Sequence, residues 1–193
     1  MTRPQTEDAV QRSLVELAQQ GDEEAFDALV RATGDRCVAI AYRILRDLHL
    51  AEDAVQAAYV AAWRDIRSLR DADRFEAWLH RLLTRACYEE ARRTRRFAAN
   101  IRALPVDNAV TRDEVLTVHD RDQLERAMAR ISVDQRAVLV FHHYGGLTLP
   151  EIAERLEIPI GTVKSRLHYA TSALRAALDA DARLASDAQE RPA

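Results

Sequence analysis

The chain has 193 residues, 48% of them hydrophobic and 31% charged, with a formal net charge of −3; that length allows one ordinary domain or two small ones with real cores. The balance is too acidic for a protein that coats DNA by charge alone. The longest apolar run falls far short of the roughly 20 residues that cross a bilayer, and the polar, acidic start "MTRPQTEDAVQRS" does not read as a secretory leader, so a cytoplasmic chain with no membrane insertion is expected.

Five glycines, five prolines and few β-branched or aromatic runs favour helix throughout. Residues 1–20 read as a flexible N-terminal segment. A first helix looks capped at Asp22, with Phe26, Leu29 and Val30 on its inner face. A second starts near Asp35 and repeats Val38, Ala41, Ile44 and Leu45 at helical spacing. A third, "LAEDAVQAAYVAAWRDI", turns Val55, Tyr59, Ala62 and Ile66 inward and Glu52, Asp53 and Gln56 outward. "RSLRDADRF" breaks the period and reads as a loop. The fourth helix, "FEAWLHRLLTRACYEEARRTRR", is expected to bury Trp78, Leu79, Leu82 and Ala86 and to run out into Arg92, Arg93, Arg95 and Arg96. An arginine-rich stretch inside a net acidic chain points to local contact with a polyanion. These helices make a first module, residues 21–97.

Residues 98–120 lose the period and carry Pro105, Asp107, Asp113 and Glu114; they read as a flexible linker, in which "TRDEVLTVHD" has the composition of a short helix. A second module, residues 121–178, follows, with Leu124, Met128 and Ile131 on one stripe. "SVDQ" reads as a capping box, Ser132 with Gln135, opening a helix through Phe141 that Gly145-Gly146 ends as a left-handed cap. "TLPE", Thr148 with Glu151, is a second box that starts a short helix carrying Ile152 and Leu156. Residues 179–193 form a polar, alanine-rich tail expected to fray.

The fold class that emerges is all-α: two small helical domains joined by a flexible linker, the second a helix-turn-helix. In "TLPEIAERLEIPIGTVKSRLHYATSALRAAL" a short helix and a tight turn precede a longer helix, whose front half would enter the major groove. Val163, Leu167, Ala170 and Leu174 form its inner stripe, leaving Thr162, Lys164, Ser165, His168 and Tyr169 off it. Pro159 offers no side chain to cap the amides of Ile160, Gly161 and Thr162, so a DNA phosphate is the expected cap. A plain helical hairpin, with Gly161 present for packing, is the competing reading. The cysteines, Cys37 and Cys87, lack CxxC spacing and read as core residues; the six histidines are scattered. No catalytic, metal or cofactor constellation emerges, and no enzyme is expected.

"GDEEAFDALV", "AEDAVQAAYVAAW" and "FEAWLHRLLTRACYEEARR" resemble region 2 of the extracytoplasmic-function (ECF) sigma factors of the sigma-70 family, and "ISVDQRAVLVFHHYGGLTLPEIAERLEIPIGTVKSRLHYATSALR" resembles their region 4. The resemblance runs from about residue 21 to 178, in the family's order. It implies a promoter-specificity subunit that binds core RNA polymerase and promoter DNA and catalyses nothing itself. Asp53 and Gln56 would face the clamp helices of the largest polymerase subunit, and region 4 the flap region. Ser68, Leu69 and Arg70 would receive an unstacked base of the −10 element, with Arg74, Arg81, Arg85, Arg92 and Arg93 supplying charge to the open strand. In "LTRACYEEA", Arg85 stands near the position where family members often carry Asn, so that residue's base contacts do not transfer. Lys164, Ser165, His168 and Tyr169 would read the −35 element, with Gly161 admitting the backbone and Thr162 and Arg166 on phosphates. The linker acids would mimic RNA in the polymerase channel, and an anti-sigma factor is a further implied partner. Two other readings remain in view: a LuxR-type response regulator, which needs a strand-rich receiver and a switch lysine before residue 100, and a stand-alone repressor.

Overall fold

Gly21 and Asp22 fix the start of the first domain in adjacent positions. In the computed structural model, which describes residues 5–100, 124 and 126–189, Gly21 adopts φ +97°, and its amide donates to Ala18 O while that of Asp22 donates to Leu17 O. Those two bonds are a Schellman motif, whose left-handed residue is most often a glycine. They end helix α1, Gln5–Gln19. The Asp22 side chain then accepts from Ala25 N at 3.0 Å and opens α2. The segment expected to be flexible is thus largely helical. Val15 and Ala18 are buried, and α1 packs on α2.

Helix α2 spans Glu23–Leu45 as one element, where two were expected. Gly34 sits inside it without a left-handed φ and without crowding, so the glycine costs only about 1 kcal/mol of propensity. Burial of Leu29, Thr33, Cys37, Ile40 and Ile44 along a single stripe outweighs that loss. Asp47 caps α3, Leu48–Asp65, by accepting from Leu50 N. The inner face of α3 is nearly all alanine, Ala51, Ala54, Ala58 and Ala62, which lets α2 and α4 approach closely. A larger side chain there would overpack the core by about 1–3 kcal/mol.

Two 3-10 turns, Ile66–Ser68 and Ala72–Arg74, make up the loop that follows. Helix α4 runs Phe75–Asn100, three residues into the expected linker. Its core stripe is Phe75, Leu79, Leu83, Ala86 and Cys87; Trp78 and Leu82, expected inside, are only half-buried. Starting the i, i+4 series at Phe75, which is fully buried, rotates the helix relative to the expected face.

Contacts divide the chain into Met1–Asn108 and Ala109–Ala193. In the second unit Ala127 and Ile131 are buried, whereas Leu124 is exposed and Met128 half-buried. Helix α5 is Val133–His143, its box complete: Gln135 N–H donates to Ser132 Oγ and Ser132 N–H to Gln135 Oε1. A Cβ on Gly145 would lie 2.7 Å from Phe141 O, so that glycine is required, and Gly146 takes φ +66°, where glycine is favoured. Helices α6, Leu149–Leu156, and α7, Ile160–Gln189, complete the unit around Val138, Phe141, Ile152, Val163 and Ala170. The tail expected to fray after Leu178 continues as helix to Gln189, in keeping with the high propensity of its Ala, Leu, Arg and Gln.

Among the described residues all regular elements are helical, so the alternating strands of a receiver domain are not present. Asp107, Asp113, Glu114 and the "TRDEVLTVHD" segment lie outside the described residues.

Candidate nucleic-acid interface

Thr148 and Glu151 set up the helix-turn-helix from its front. The Thr148 amide and hydroxyl both donate to Glu151 Oε2, at 2.7 and 2.6 Å. These two bonds, hydroxyl first, hold the Glu151 carboxyl below its usual value, with Arg155 adding a smaller pull. At the far end of α6, Glu157 adopts φ +53°; its amide reaches Glu154 O and that of Ile158 reaches Ala153 O. This is a Schellman motif again, here on a non-glycine. It reverses the chain so that Pro159 stands directly before α7.

Pro159 O accepts from Thr162 N at 2.8 Å and Val163 N at 3.2 Å. The Thr162 amide is therefore engaged inside the chain, which corrects the expectation of three open amides. Those of Ile160 and Gly161 have no acceptor among the described residues. A Cβ built on Gly161 meets nothing within 4 Å, and its φ is not left-handed. Neither packing nor backbone strain calls for a glycine there.

Along α7, Gly161, Lys164, Ser165 and His168 recur at i, i+3, i+4 and i+7 and share one exposed face, with Tyr169 beside it at 62% exposure. His168 and Tyr169 meet edge to face, their centroids 5.7 Å apart. The Ser165 hydroxyl donates to Thr162 O and keeps its lone pairs for an outside donor. Val163 and Ala170 are fully buried, Leu167 and Leu174 half-buried, as the stripe predicts. Arg166 departs from the group: it lies half-buried on the other side, 3.5 Å from Asp134 of α5.

In the first unit, Ser68 and Arg70 are exposed and Leu69 half-buried. The Ser68 hydroxyl donates to Asp65 O, and Leu69 N to Ile66 O. Sequence reasoning missed two residues that hold this loop. Gln19 of α1 donates to both Ile66 O and Leu69 O, at 3.1 and 2.6 Å, and Arg12 forms a two-nitrogen ion pair with Asp73. The available signal was the apolar spacing of Leu14, Val15 and Ala18 ahead of Gly21.

Arg81, Arg85 and Arg92 fall on one stripe of α4 at i, i+4 and i+11, Arg81 half-buried and the other two exposed. Arg74 stands apart in the second 3-10 turn. Arg93 faces a groove of about 840 Å³ between α3 and α4, which Asp53, Gln56, Arg85 and Glu89 also line. It pairs there with Glu90 at 2.8 Å and Asp53 at 3.6 Å. The face that presents Asp53 and Gln56 continues into Val60 and Trp63, 62% and 38% exposed. Trp63 rests on Phe26 with centroids 4.9 Å apart. These two apolar residues, missed earlier, were visible as breaks in a polar face at i+7 and i+10 from Asp53. Cys37 and Cys87 are both free and buried. Among the described residues no group of His, Cys, Asp and Glu is placed to hold a metal, and no helix is long and apolar enough to cross a membrane.

Residues 29–97 match the family model of sigma-70 region 2, and residues 121–174 that of sigma-70 region 4. The ECF RNA polymerase sigma factor SigL of Mycobacterium tuberculosis is 36% identical over 165 residues, covering 82% of this chain and 93% of that protein. SigW of Bacillus subtilis, also an ECF RNA polymerase sigma factor, is 28% identical over 173 residues, with 83% and 92% covered. Among solved structures, the sigma factor RpoE of Bartonella quintana, in complex with the anti-sigma factor NepR, has a similar fold. Its TM-score is 0.68 at 23% identity, over 81% of this chain and 98% of that one.

Proposed function

The chain belongs to the sigma-70 family as an ECF sigma factor, and from that premise we propose how its residues divide the work. As such a factor it serves RNA polymerase in transcription initiation, binding core enzyme, recognising the −10 and −35 promoter elements and promoting DNA opening. The observation that carries this reading is the order of two matched regions within one chain, region 2 before region 4.

Residues 21–97, with α1 added to them, make the polymerase- and −10-binding domain. Asp53, Gln56, Val60 and Trp63 form the face that docks on the clamp helices, a polar rim beside an apolar centre of the kind stable interfaces use. Ser68, Leu69 and Arg70 receive the extruded base, and the Arg81–Arg85–Arg92 stripe follows the open strand. Opening costs a few kcal/mol per unstacked base, which cationic contacts along the strand offset. In the second domain a phosphate accepts from the Ile160 and Gly161 amides at the positive end of α7. Lys164, Ser165, His168 and Tyr169 then face the base edges of the −35 element. Arg166 reaches a phosphate only by exchanging its Asp134 partner. The chain makes and breaks no bonds; that chemistry belongs to the polymerase. Its place is the cytoplasm, with the chromosome. The RpoE relative was solved with the anti-sigma factor NepR, and a protein of that class is the proposed regulator.

Each domain alone binds weakly, and tethering both on polymerase raises their effective concentration. This explains how a net acidic protein selects promoters. The test is transcription from a promoter library by core polymerase with and without the chain. Start sites that need both components support the reading. No stimulation, together with tight salt-sensitive duplex binding by the chain alone, would replace it with a repressor.

A further inference from the structure

We propose that α1 is part of the −10 recognition machinery: Gln19 and Arg12 are positioning residues that hold the 66–74 loop in its base-receiving shape. The inference rests on the sigma-factor reading of that loop.

The loop has little of its own to keep it in place. Leu69 N to Ile66 O, Arg74 N to Asp71 O, Ser68 Oγ to Asp65 O and Asp73 N to Asp71 Oδ1 are all local bonds. They shape each 3-10 turn without tying residues 68–73 to another element. Ile66 seats the start of the loop in the core, α3 and α4 adjoin its two ends, and the side-chain anchors of the stretch between come from α1. The Gln19 amide has two hydrogens, and its nitrogen donates to Ile66 O and Leu69 O, bridging the first turn. Seven residues earlier, and so on the same face of the helix, the Arg12 guanidinium grips both carboxylate oxygens of Asp73 in the second turn. Between these two anchors lie Ser68, Leu69 and Arg70.

Helix α1 is itself fixed. Val15 and Ala18 are buried, and the Schellman motif at Gly21 sets its exit. The side chain of Arg67 also lies at the Gly21 turn, 3.4 Å from where a Cβ would stand. A free loop would have to be ordered when it received a base, at a cost in conformational entropy. Gln19 and Arg12 move that ordering into folding, which is preorganisation. A pocket that is held discriminates among bases, whereas one that adapts accepts them all. Loss of the anchors therefore falls on discrimination before it falls on polymerase binding.

The experiment uses holoenzyme reconstituted from core polymerase and the full chain. Transcription is read from a matched promoter and from its single-base −10 variants. Wild type should favour the matched base by about tenfold, as one mismatched pair typically costs. Gln19→Ala, Arg12→Asp and Asp73→Arg should each reduce that ratio to about twofold, with core affinity unchanged. The double variant Arg12→Asp/Asp73→Arg should recover it. Recovery on charge exchange is a readout that a general loss of stability would not give. The Arg12 and Asp73 side chains are 54% and 49% exposed, so the charge series decides the matter even where Gln19→Ala does not fold. Variants that discriminate within twofold of wild type overturn the positioning role alone. A wild-type chain that gives no promoter-dependent transcript overturns the sigma-factor reading, and this role with it.

Discussion

Gly161→Ala separates a residue kept for DNA from one kept for the fold. The added methyl meets no atom within 4 Å, and the backbone there is not left-handed, so the substitution brings neither clash nor strain. Alanine is the better helix former by about 1 kcal/mol in a helix interior and by less in the first turn. Stability should therefore stay level or rise by up to about 1 kcal/mol. DNA binding should move the other way. A charge-assisted hydrogen bond from an amide to a phosphate contributes about 1.5–3 kcal/mol. A methyl that holds the phosphate off one of the two open amides should cost about 2 kcal/mol, roughly 30-fold in Kd. No cation is removed, so the slope of log K against log salt should hardly change. Stability is read by urea unfolding. Trp63 and Trp78 report the first domain by fluorescence, and circular dichroism adds the second. Affinity is read by anisotropy of −35 DNA with holoenzyme. Unchanged affinity would refute the phosphate cradle, and lost stability would make Gly161 a structural glycine.

Lys164→Ala should lose affinity mainly at one −35 base pair, by about 1–3 kcal/mol; a uniform loss with the salt slope reduced by about one assigns the lysine to a phosphate. Glu151 is held below its usual value by Thr148, so folding favours its carboxylate. That stability is complete above the unfolded value, about 4.5, and lost as pH falls through the lower folded one. The gap in stability between wild type and Glu151→Gln should close in acid, and a gap constant down to about pH 3 refutes the linkage. Burial pushes the Cys87 thiol up to about 12 and raises that of Cys37; a thiol-exchange reagent should label neither in the folded chain and both after unfolding. Asp53→Ala should weaken core binding by about fivefold, the size of an exposed charge contact, measured by competition for core polymerase; an unchanged Kd moves the docking face elsewhere.

The sequence spoke most clearly where one residue type admits one geometry. Asp22, the Ser132–Gln135 pair, Gly146 and the Thr148–Glu151 pair each announced a helix end that the structure has. It misled where a local signal competed with burial. A second helix was expected from near Asp35, yet the stripe from Leu29 to Ile44 runs unbroken through Gly34 as a single helix. Trp78 and Leu82 look like core by size, but Phe75 and Leu83 take the buried positions and turn them to the flank. In α1 the apolar spacing was present, hidden by a polar start. The exposed face of α7 followed directly from helical period. Two features of the site did not: the Arg166–Asp134 pair and the Gln19 contacts, the latter with backbone carbonyls 47 and 50 residues away. A hydrogen bond of that range leaves no pattern in a single sequence.

The pairing of Asp53 with Arg93 joins two proposed roles that the sequence kept apart. Asp53 is assigned to polymerase and Arg93 to the open strand, yet they lie 3.6 Å apart across the groove. Both are more than half exposed, and a surface pair of this kind contributes at most about 1 kcal/mol. Polymerase can therefore displace Arg93 from Asp53 with little loss. The arginine still holds Glu90, itself nearly buried, and is not left as a free cation. A residue in that state can shift between a protein carboxylate and a DNA phosphate without ever being unpaired. The stripe of Arg81, Arg85 and Arg92 lies to one side of Arg93 on the same helix, so a strand bound as proposed would pass close to the proposed docking face. On the proposed assignments, the polymerase-docking and strand-binding surfaces meet on one edge of the first domain. A chain with a net charge of −3 needs that arrangement, because its overall field repels DNA and only a local concentration of arginine, brought to the promoter by the polymerase, can reverse the sign.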